Sequence, residues 1–184
     1  MIILPFATGM SISITLLTLK SYSDIKCKEL NQPLQQYVIF PRIDQKTCLK
    51  SIYTANLTPL IIEPLIKGDE LATNITEIKN IINDKRYKDK ILAVLSTTSC
   101  FAPRVYDSII AISTICKEHE INHVVNSAYG LQCSRISSDI VWASKVGRLD
   151  VIVSSTDKNF MVPVGGSIVY SPQKSKSSEG IGII

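Results

Sequence analysis

Short apolar runs alternate along this chain with segments in which apolar residues recur every three or four positions. The runs predict buried strands, because each is too short for a helix and is bounded by polar or turn-forming residues. They cover residues 37–40, 60–62, 91–95, 123–125, 151–153 and 168–170. Since each run is apolar on both faces, we expect a mostly parallel sheet with helices on both sides, a three-layer α/β/α architecture.

The segments between the runs carry apolar residues at helical spacing. We expect one helix capped by Asp44, a second beginning at Thr73 or Asn74, a long third opened by Pro103, and a fourth carrying Ile136, Ile140 and Ala143. These helices supply the two outer layers.

The ends of the chain need separate interpretation. Residues 1–19 carry no charge, but Pro5 and Gly9 interrupt them and no basic segment precedes them, so we expect a short strand, a turn and a buried helix, and no membrane segment. The lysine- and serine-rich residues 20–36 predict a loop. Residues 1–170 then form one domain, and residues 171–184 predict a mobile tail.

Composition restricts the class of protein. The chain has 184 residues, 45% of them hydrophobic, which is enough for one packed domain. A net charge of +4 is compatible with an RNA partner without requiring one. The five scattered cysteines indicate reduced thiols in a cytoplasmic protein. His119 and His123 are four residues apart, but the second lies at the start of a predicted strand, so we expect no metal site.

Small polar residues follow four of the predicted strands. They are Arg42, Asp44 and Gln45; Ser96, Thr97, Thr98 and Ser99; Asn126 and Ser127; and Ser154, Ser155, Asp157 and Lys158. In a parallel sheet these strand ends meet at one edge, where ligands bind in open α/β folds. We therefore predict a site at this edge.

Two segments indicate what that site binds. Lys158 follows a buried strand and precedes Gly165 and Gly166, a place where pyridoxal-phosphate enzymes hold the amine that forms a Schiff base with the cofactor; the alternative is a solvated lysine on a surface turn. The turn at residues 7–11 precedes a helix, so its free N–H groups and the hydroxyls of Thr8 and Ser11 favour a phosphate, with Ser155 nearby.

Several segments resemble the O-phosphoseryl-tRNA(Sec) selenium transferase family, also called selenocysteinyl-tRNA(Sec) synthases. They are residues 7–11, 41–46, 68–71, 96–105, 125–130, 146–148 and 157–166. The stretches at 96–105 and 157–166 are the most specific. The resemblance covers residues 3 to 170.

This resemblance implies a pyridoxal-phosphate enzyme of the aspartate-aminotransferase type, fold type I, with an incomplete large domain. It implies conversion of O-phosphoseryl-tRNA(Sec) to selenocysteinyl-tRNA(Sec) with selenophosphate, by β-elimination and selenium addition. It also implies a homotetramer in the cytoplasm.

The resemblance assigns roles to individual residues. Lys158 matches the Schiff-base lysine and Asn126 the residue beside the pyridine ring. Positions around the ring and its phosphate are matched by Gln45, Ala7, Thr8 and Ser155. Lys145 stands where the family usually has an arginine that contacts tRNA, and a lysine keeps the charge but loses the two-pronged contact.

Two alternatives stay open at this point. One is another fold-type-I lyase or transferase that uses pyridoxal phosphate, and the other is a non-catalytic remnant that binds tRNA or a protein partner. Compared with the family, the sequence lacks an N-terminal part with a phosphate-recognition loop and the region downstream of Gly166. We therefore expect a fragment that is inactive in isolation.

Overall fold

A computed structural model describes residues 1–172. Its centre is a seven-stranded sheet in the order β1-β9-β8-β7-β6-β2-β3. The strands are β1 (Ile2–Leu4), β2 (Tyr37–Pro41), β3 (Thr58–Ile62), β6 (Ile91–Thr97), β7 (Asn122–Ser127), β8 (Val151–Ser155) and β9 (Ser167–Tyr170). The five strands from β8 to β3 are parallel to one another, and only β9 and β1 enter through antiparallel pairing.

Helices cover both faces of this sheet, as the apolar runs predicted. They are α1 (Thr8–Glu29), α2 (Lys46–Thr54), α3 (Ile75–Asn83), α4 (Ile109–Glu118), α5 (Ser134–Val146) and α6 (Thr156–Phe160). Residues of α1 and α2 share one buried cluster with β2, β6, β7 and β8. Residues of α3, α4 and α5 form two clusters against the opposite side of the strands. The three-layer α/β/α prediction is confirmed.

Three local predictions were wrong. Residues 20–29 continue helix α1 and do not form a loop, and the non-helical connection is limited to the residues before Tyr37. The helix that was predicted to open at Pro103 is α4, and it begins at Ile109 instead. Arg104 and Asp107 turn inward as a buried ion pair and hold the segment before the helix in an irregular form. Gln45, and not Asp44, is the N-cap of α2.

A small antiparallel hairpin of β4 (Leu65–Lys67) and β5 (Glu70–Ala72) was not predicted. It follows β3 and therefore projects from the carboxyl edge of the sheet. Its second strand is fastened by backbone hydrogen bonds between Leu71 and the segment at Pro103 and Val105. The tail predicted for residues 171–184 falls almost entirely outside the described residues.

Candidate active site

The ends of β8, β7, β6 and β2 lie side by side at the carboxyl edge of the sheet. The predicted convergence of four strand ends is therefore present. Each strand is followed by a loop or a helix start that turns over this edge, and the polar residues named from the sequence lie on the last residues of the strands or on those connections.

Lys158 lies in the one-turn helix α6, directly after β8. Its amine donates to the Ser155 hydroxyl at 3.2 Å and to the Asp157 carboxylate at 3.2 Å. Ser155 also donates to Asp157, and this bond, with the nearby amine, lowers the pKa of that carboxyl. The Lys158 side chain is 33% exposed, and its amine lies 5.6 Å from the centre of the Tyr129 ring. The amine is thus held against the protein at a position that a ligand can reach.

The loop after β7 is fastened to the Lys158 segment. Asn159 donates to the carbonyl of Ala128 at 3.1 Å, and Gln132 donates to the carbonyl of Lys158 at 2.8 Å. These bonds join the loop that follows Asn126 and the end of β7 to the turn that carries the Lys158 amine.

Asn126 is 4% exposed, and both ends of its side-chain amide have partners. The oxygen accepts from the Ala128 N–H at 3.1 Å, and the nitrogen donates to the Cys48 sulfur at 3.1 Å. Burial raises the pKa of the Cys48 thiol to about 12, so the thiol is neutral at physiological pH. Asn126 therefore lies in an uncharged hydrogen-bonding environment.

The N-terminus of α1 lies next to the end of β8. Ser11 hydrogen-bonds Ser167 at 2.6 Å, and Ser167 is paired in register with Ser155. Ala7 is the N-cap of this helix and makes no side-chain capping bond, while the Thr8 hydroxyl is buried without a hydrogen-bond partner among residues 1–172. Free N–H groups of a 22-residue helix and an unpartnered hydroxyl are suited to an anion.

The N-terminus of α2 lies against that of α1. Gln45 caps α2 through the Thr47 N–H, and Ser51 donates to the carbonyl of Gly9 at 2.8 Å. A Cβ on Gly9 would lie 2.1 Å from the Thr47 methyl group, so only glycine permits this approach. Gln45 is consequently brought beside the Thr8 region.

These contacts form a closed circuit around the carboxyl edge. It runs from α1 through Ser167 to Ser155 and Lys158, on to the loop of Asn126, through Cys48 into α2, and back to α1 at Gly9. The structure therefore places six residues that the sequence had singled out on neighbouring segments of this edge: Ala7, Thr8, Gln45, Asn126, Ser155 and Lys158.

Lys145 does not belong to this circuit. It lies exposed in the last turn of α5, which starts at the carboxyl edge and runs toward the opposite end of the strands. At 1.5 Å per residue, the 11 steps from Ser134 to Lys145 cover roughly 16 Å. A ligand that touches both Lys145 and Lys158 must therefore be large.

Several residues in or beside the circuit were not singled out from the sequence as site residues. Cys48 and Tyr129 are apolar or aromatic in character, and nothing in their spacing indicates a site. Thr97 belonged to a predicted polar cluster but carried no individual role. Its hydroxyl is buried and has no hydrogen-bond partner in the part of the chain that the structure describes.

The residues present fit pyridoxal phosphate. The fit rests on four features of the site: an accessible amine, a buried neutral amide, unpartnered hydroxyls at Thr8 and Thr97, and an uncapped helix N-terminus. The amine suits an aldehyde, and the helix end suits a phosphate.

Residues 1–172 offer neither a metal-binding cluster nor a membrane-spanning helix. This part of the chain contains no group of three or more His, Cys, Asp or Glu side chains arranged to hold a metal ion. His119 ends α4, whereas His123 lies inside β7 and bonds Ser96. In the same range, no helix combines the length and apolarity needed to cross a bilayer.

Comparison with known proteins places the chain in a family. The model of the O-phosphoseryl-tRNA(Sec) selenium transferase family, SepSecS, matches residues 1–179. The enzyme of that name from Dictyostelium discoideum is 52% identical over 171 residues, which are 93% of this chain and 34% of the relative. This chain thus spans about a third of the length of the curated relatives it matches.

Solved structures agree on the fold. The crystal structure of an archaeal O-phosphoseryl-tRNA(Sec) selenium transferase superposes with a TM-score of 0.79 at 31% identity, over 94% of this chain and 37% of that one. Oryza sativa TDC, crystallised with PLP, superposes with a TM-score of 0.72 over 92% of this chain and 37% of that one, at 16% identity, which supports the fold alone. The predicted fold type I class is confirmed. The chain belongs to the O-phosphoseryl-tRNA(Sec) selenium transferase family.

Proposed function

We propose that this chain carries the cofactor-binding part of an enzyme that converts O-phosphoseryl-tRNA(Sec) to selenocysteinyl-tRNA(Sec), with selenophosphate as the selenium donor. The observation that carries the proposal is the Lys158 amine, held by Ser155 and Asp157 within a circuit of contacts that also contains Asn126. Family membership and the residues at this edge support the same reaction class.

Pyridoxal phosphate, when bound, supplies an aldehyde that bonds reversibly to amines and a ring that draws electrons from the α-carbon of an amino acid. Lys158 is the residue that bonds the aldehyde in the absence of substrate. With the cofactor bound, the substrate amine would take the place of the Lys158 amine, which would then be free to remove the α-proton as a general base. Phosphate would leave from the β-carbon with the bonding electrons. Selenophosphate would then add there through its selenium, Lys158 would return the proton to the α-carbon, and water would cleave the Se–P bond to release a second phosphate.

The phosphate of the cofactor is assigned to the start of α1. There the N–H groups after Ala7 and the Thr8 hydroxyl supply donors, and the helix dipole favours negative charge. Ser155 is assigned to the same phosphate, toward which its hydroxyl would turn from Asp157. Gln45, at the start of the adjacent α2, is assigned to the ring side of the same site.

Asn126 is assigned to the pyridine nitrogen. Its amide donates a hydrogen bond but supplies no negative charge, and its other neighbour is the neutral Cys48 thiol. The ring is therefore a weaker electron acceptor than one that faces a carboxylate. Elimination tolerates this, because phosphate is a good leaving group and little negative charge accumulates on the α-carbon.

Lys145 is proposed to contact the tRNA. It lies roughly 16 Å along α5 from the carboxyl edge, a span that a tRNA covers and a small substrate does not. A homotetramer and a cytoplasmic location complete the proposal, and both come from the family resemblance.

The cofactor assignment is tested by adding pyridoxal 5'-phosphate to the 184-residue chain, reducing with borohydride and mapping the modified peptide by mass spectrometry. We expect one major adduct, on Lys158, and at least a tenfold lower yield in Lys158→Ala, since other lysines lack the surrounding donors (roughly 1.4 kcal/mol of preference). Lys79→Ala, an exposed lysine on α3, is the matched control and keeps the adduct.

Labelling spread evenly over surface lysines would refute the assignment. It would favour the alternative of a non-catalytic remnant that binds tRNA or another partner. Turnover of O-phosphoseryl-tRNA(Sec) is a separate measurement, for which we expect the chain in isolation to be inactive.

A further inference from the structure

The Thr97 hydroxyl is a buried polar group at the carboxyl edge of the sheet. Thr97 is the last residue of β6 and is 2% exposed. Its Oγ1 has no hydrogen-bond partner among the described residues. Buried hydroxyls are normally paired, because leaving one unpaired costs free energy, so an unpaired one at a candidate site points to a missing ligand.

The backbone of Thr97 is fixed on both sides. Its N–H donates to the Asp107 carboxylate at 2.8 Å, and its carbonyl accepts from the Asp107 N–H at 2.9 Å. Asp107 is fully buried and is held in turn by Arg104 and by the Thr73 hydroxyl. The Thr97 side chain is therefore attached to a firmly anchored strand end and has little freedom to find a partner elsewhere.

The direction of the side chain follows from the alternation of the strand. Ala93 and Leu95, four and two residues earlier, both pack in the cluster formed with α1 and α2, so Thr97 faces the same side. Thr97 is paired in register with Asn126, which faces that side too and contacts Cys48 of α2. The two polar side chains are thus neighbours on adjacent strands.

Asn126 does not satisfy Thr97. The amide oxygen of Asn126 is used by the Ala128 N–H and its nitrogen by the Cys48 sulfur. The second N–H of the Asn126 amide and the Thr97 hydroxyl are then two neutral donors side by side, which suits a ligand edge with two acceptor atoms, such as the ring nitrogen and the 3-oxygen of pyridoxal phosphate.

We propose that Thr97 is a further binding residue for pyridoxal phosphate, and that its hydroxyl donates to an acceptor on the ring beside Asn126. This inference rests on the proposed function, since it names another residue of the same cofactor site. It also gives the Arg104–Asp107 pair a positioning task, because that pair holds the backbone from which the hydroxyl projects.

The test compares Thr97→Val with the matched control Thr15→Val. Both substitutions replace a buried threonine by a side chain of the same shape. Thr15 lies on α1, is 5% exposed, and donates to the Ser11 carbonyl at 2.8 Å, so its hydroxyl is already satisfied without ligand. Two quantities are measured for each variant of the 184-residue chain: the melting temperature without cofactor, and the dissociation constant for pyridoxal 5'-phosphate from an absorbance titration.

For Thr97→Val we expect cofactor-free melting within about 1 °C of wild type, or higher, and binding weakened roughly tenfold, as for one lost hydrogen bond. Thr97→Ser keeps the hydroxyl and restores binding to within about threefold of wild type. Thr15→Val shows the reverse pattern, with melting lowered by about 3 °C and binding unchanged.

A loss of cofactor-free stability in Thr97→Val as large as that in Thr15→Val would overturn the inference, since the hydroxyl would then have a protein partner. Equal cofactor affinity in wild type and Thr97→Val would overturn it as well, while leaving the proposed function intact. If wild type itself takes up no pyridoxal 5'-phosphate, both the proposed function and the role of Thr97 are wrong.

Discussion

Arg104 and Asp107 form an ion pair that lies almost wholly inside the protein, with side chains 5% and 0% exposed. Burial raises the pKa of Asp107, and the Arg104 guanidinium opposes that rise. Arg104 also donates to the Arg42 carbonyl at 3.1 Å, so the pair links the end of β2 to the end of β6. Breaking such a pair leaves an uncompensated buried charge, which is far more costly than losing a surface pair.

Arg104→Met should therefore lower the free energy of unfolding by about 3 kcal/mol. The double variant Arg104→Met/Asp107→Asn should recover at least about 1 kcal/mol of this loss, because the neutral amide still accepts from the Thr97 N–H without a stranded charge. Urea denaturation at pH 7 measures both.

The matched control for this pair is Arg86, which bonds Asp84 on the surface with a side chain 76% exposed. Arg86→Met should leave the urea denaturation midpoint close to that of wild type, because a solvent-exposed pair contributes little to stability. Equal losses at the two arginines would show that burial of the Arg104–Asp107 pair has no energetic consequence.

At the scale of elements, the site depends on how closely α1 and α2 approach at their N-termini. Gly9 makes this possible, since a Cβ there would lie 2.1 Å from the Thr47 methyl group. The approach places the two helix N-termini side by side. Gln45 at the start of α2 is thereby brought near Thr8 at the start of α1.

Gly9→Ala should destabilise the chain by about 2 kcal/mol through overpacking. Thr47→Ser removes the methyl group that meets the new Cβ, so in that background Gly9→Ala should be neutral or stabilising by up to about 1 kcal/mol, given the higher helix propensity of alanine. Thermal and urea unfolding of the four chains, wild type included, form a double-mutant cycle. Additive effects would exclude the steric explanation.

The elements that the sequence failed to predict are those in which tertiary contacts override the local pattern. Residues 20–29 of α1 are rich in lysine and serine and suggest a loop, yet Ser23 and Cys27 are buried and bring this part of the helix onto the core. Val105 fits the helical spacing of α4, but Arg104 and Asp107 require inward-facing positions that a helix from Pro103 would not provide.

The parts of the site that could be predicted are those that depend on chain direction alone. Parallel strands place their ends at one edge, so the convergence of the loops at Gln45, Asn126 and Lys158 followed from the alternation of strands and helices. Cys48 and Thr97 could not be predicted individually, because their importance depends on which buried atoms have partners, and no spacing rule contains that information.

At the scale of the whole molecule, several buried groups that resist ionisation in the folded chain set the pH range of stability. Burial lowers the pKa of His123 to about 3, while it raises the pKa of Cys48 to about 12 and raises that of Cys116 as well. Above the ordinary thiol pKa, the unfolded chain releases protons that the folded chain retains, so stability falls as the pH rises beyond about 9.

The acid limit follows from His123, which lies fully buried in β7 between Ser96 and the Arg148 carbonyl. Below its ordinary pKa of 6.5, the unfolded chain binds a proton that the folded chain refuses until about pH 3, so stability falls as the pH drops. The expected loss between pH 7 and pH 5 is about 2 kcal/mol. His123→Gln should flatten this part of a urea-denaturation profile, whatever its stability at pH 7. His119→Gln, at the exposed end of α4, should leave the dependence of stability on pH unchanged. A profile that is flattened by His119→Gln and not by His123→Gln would contradict this assignment.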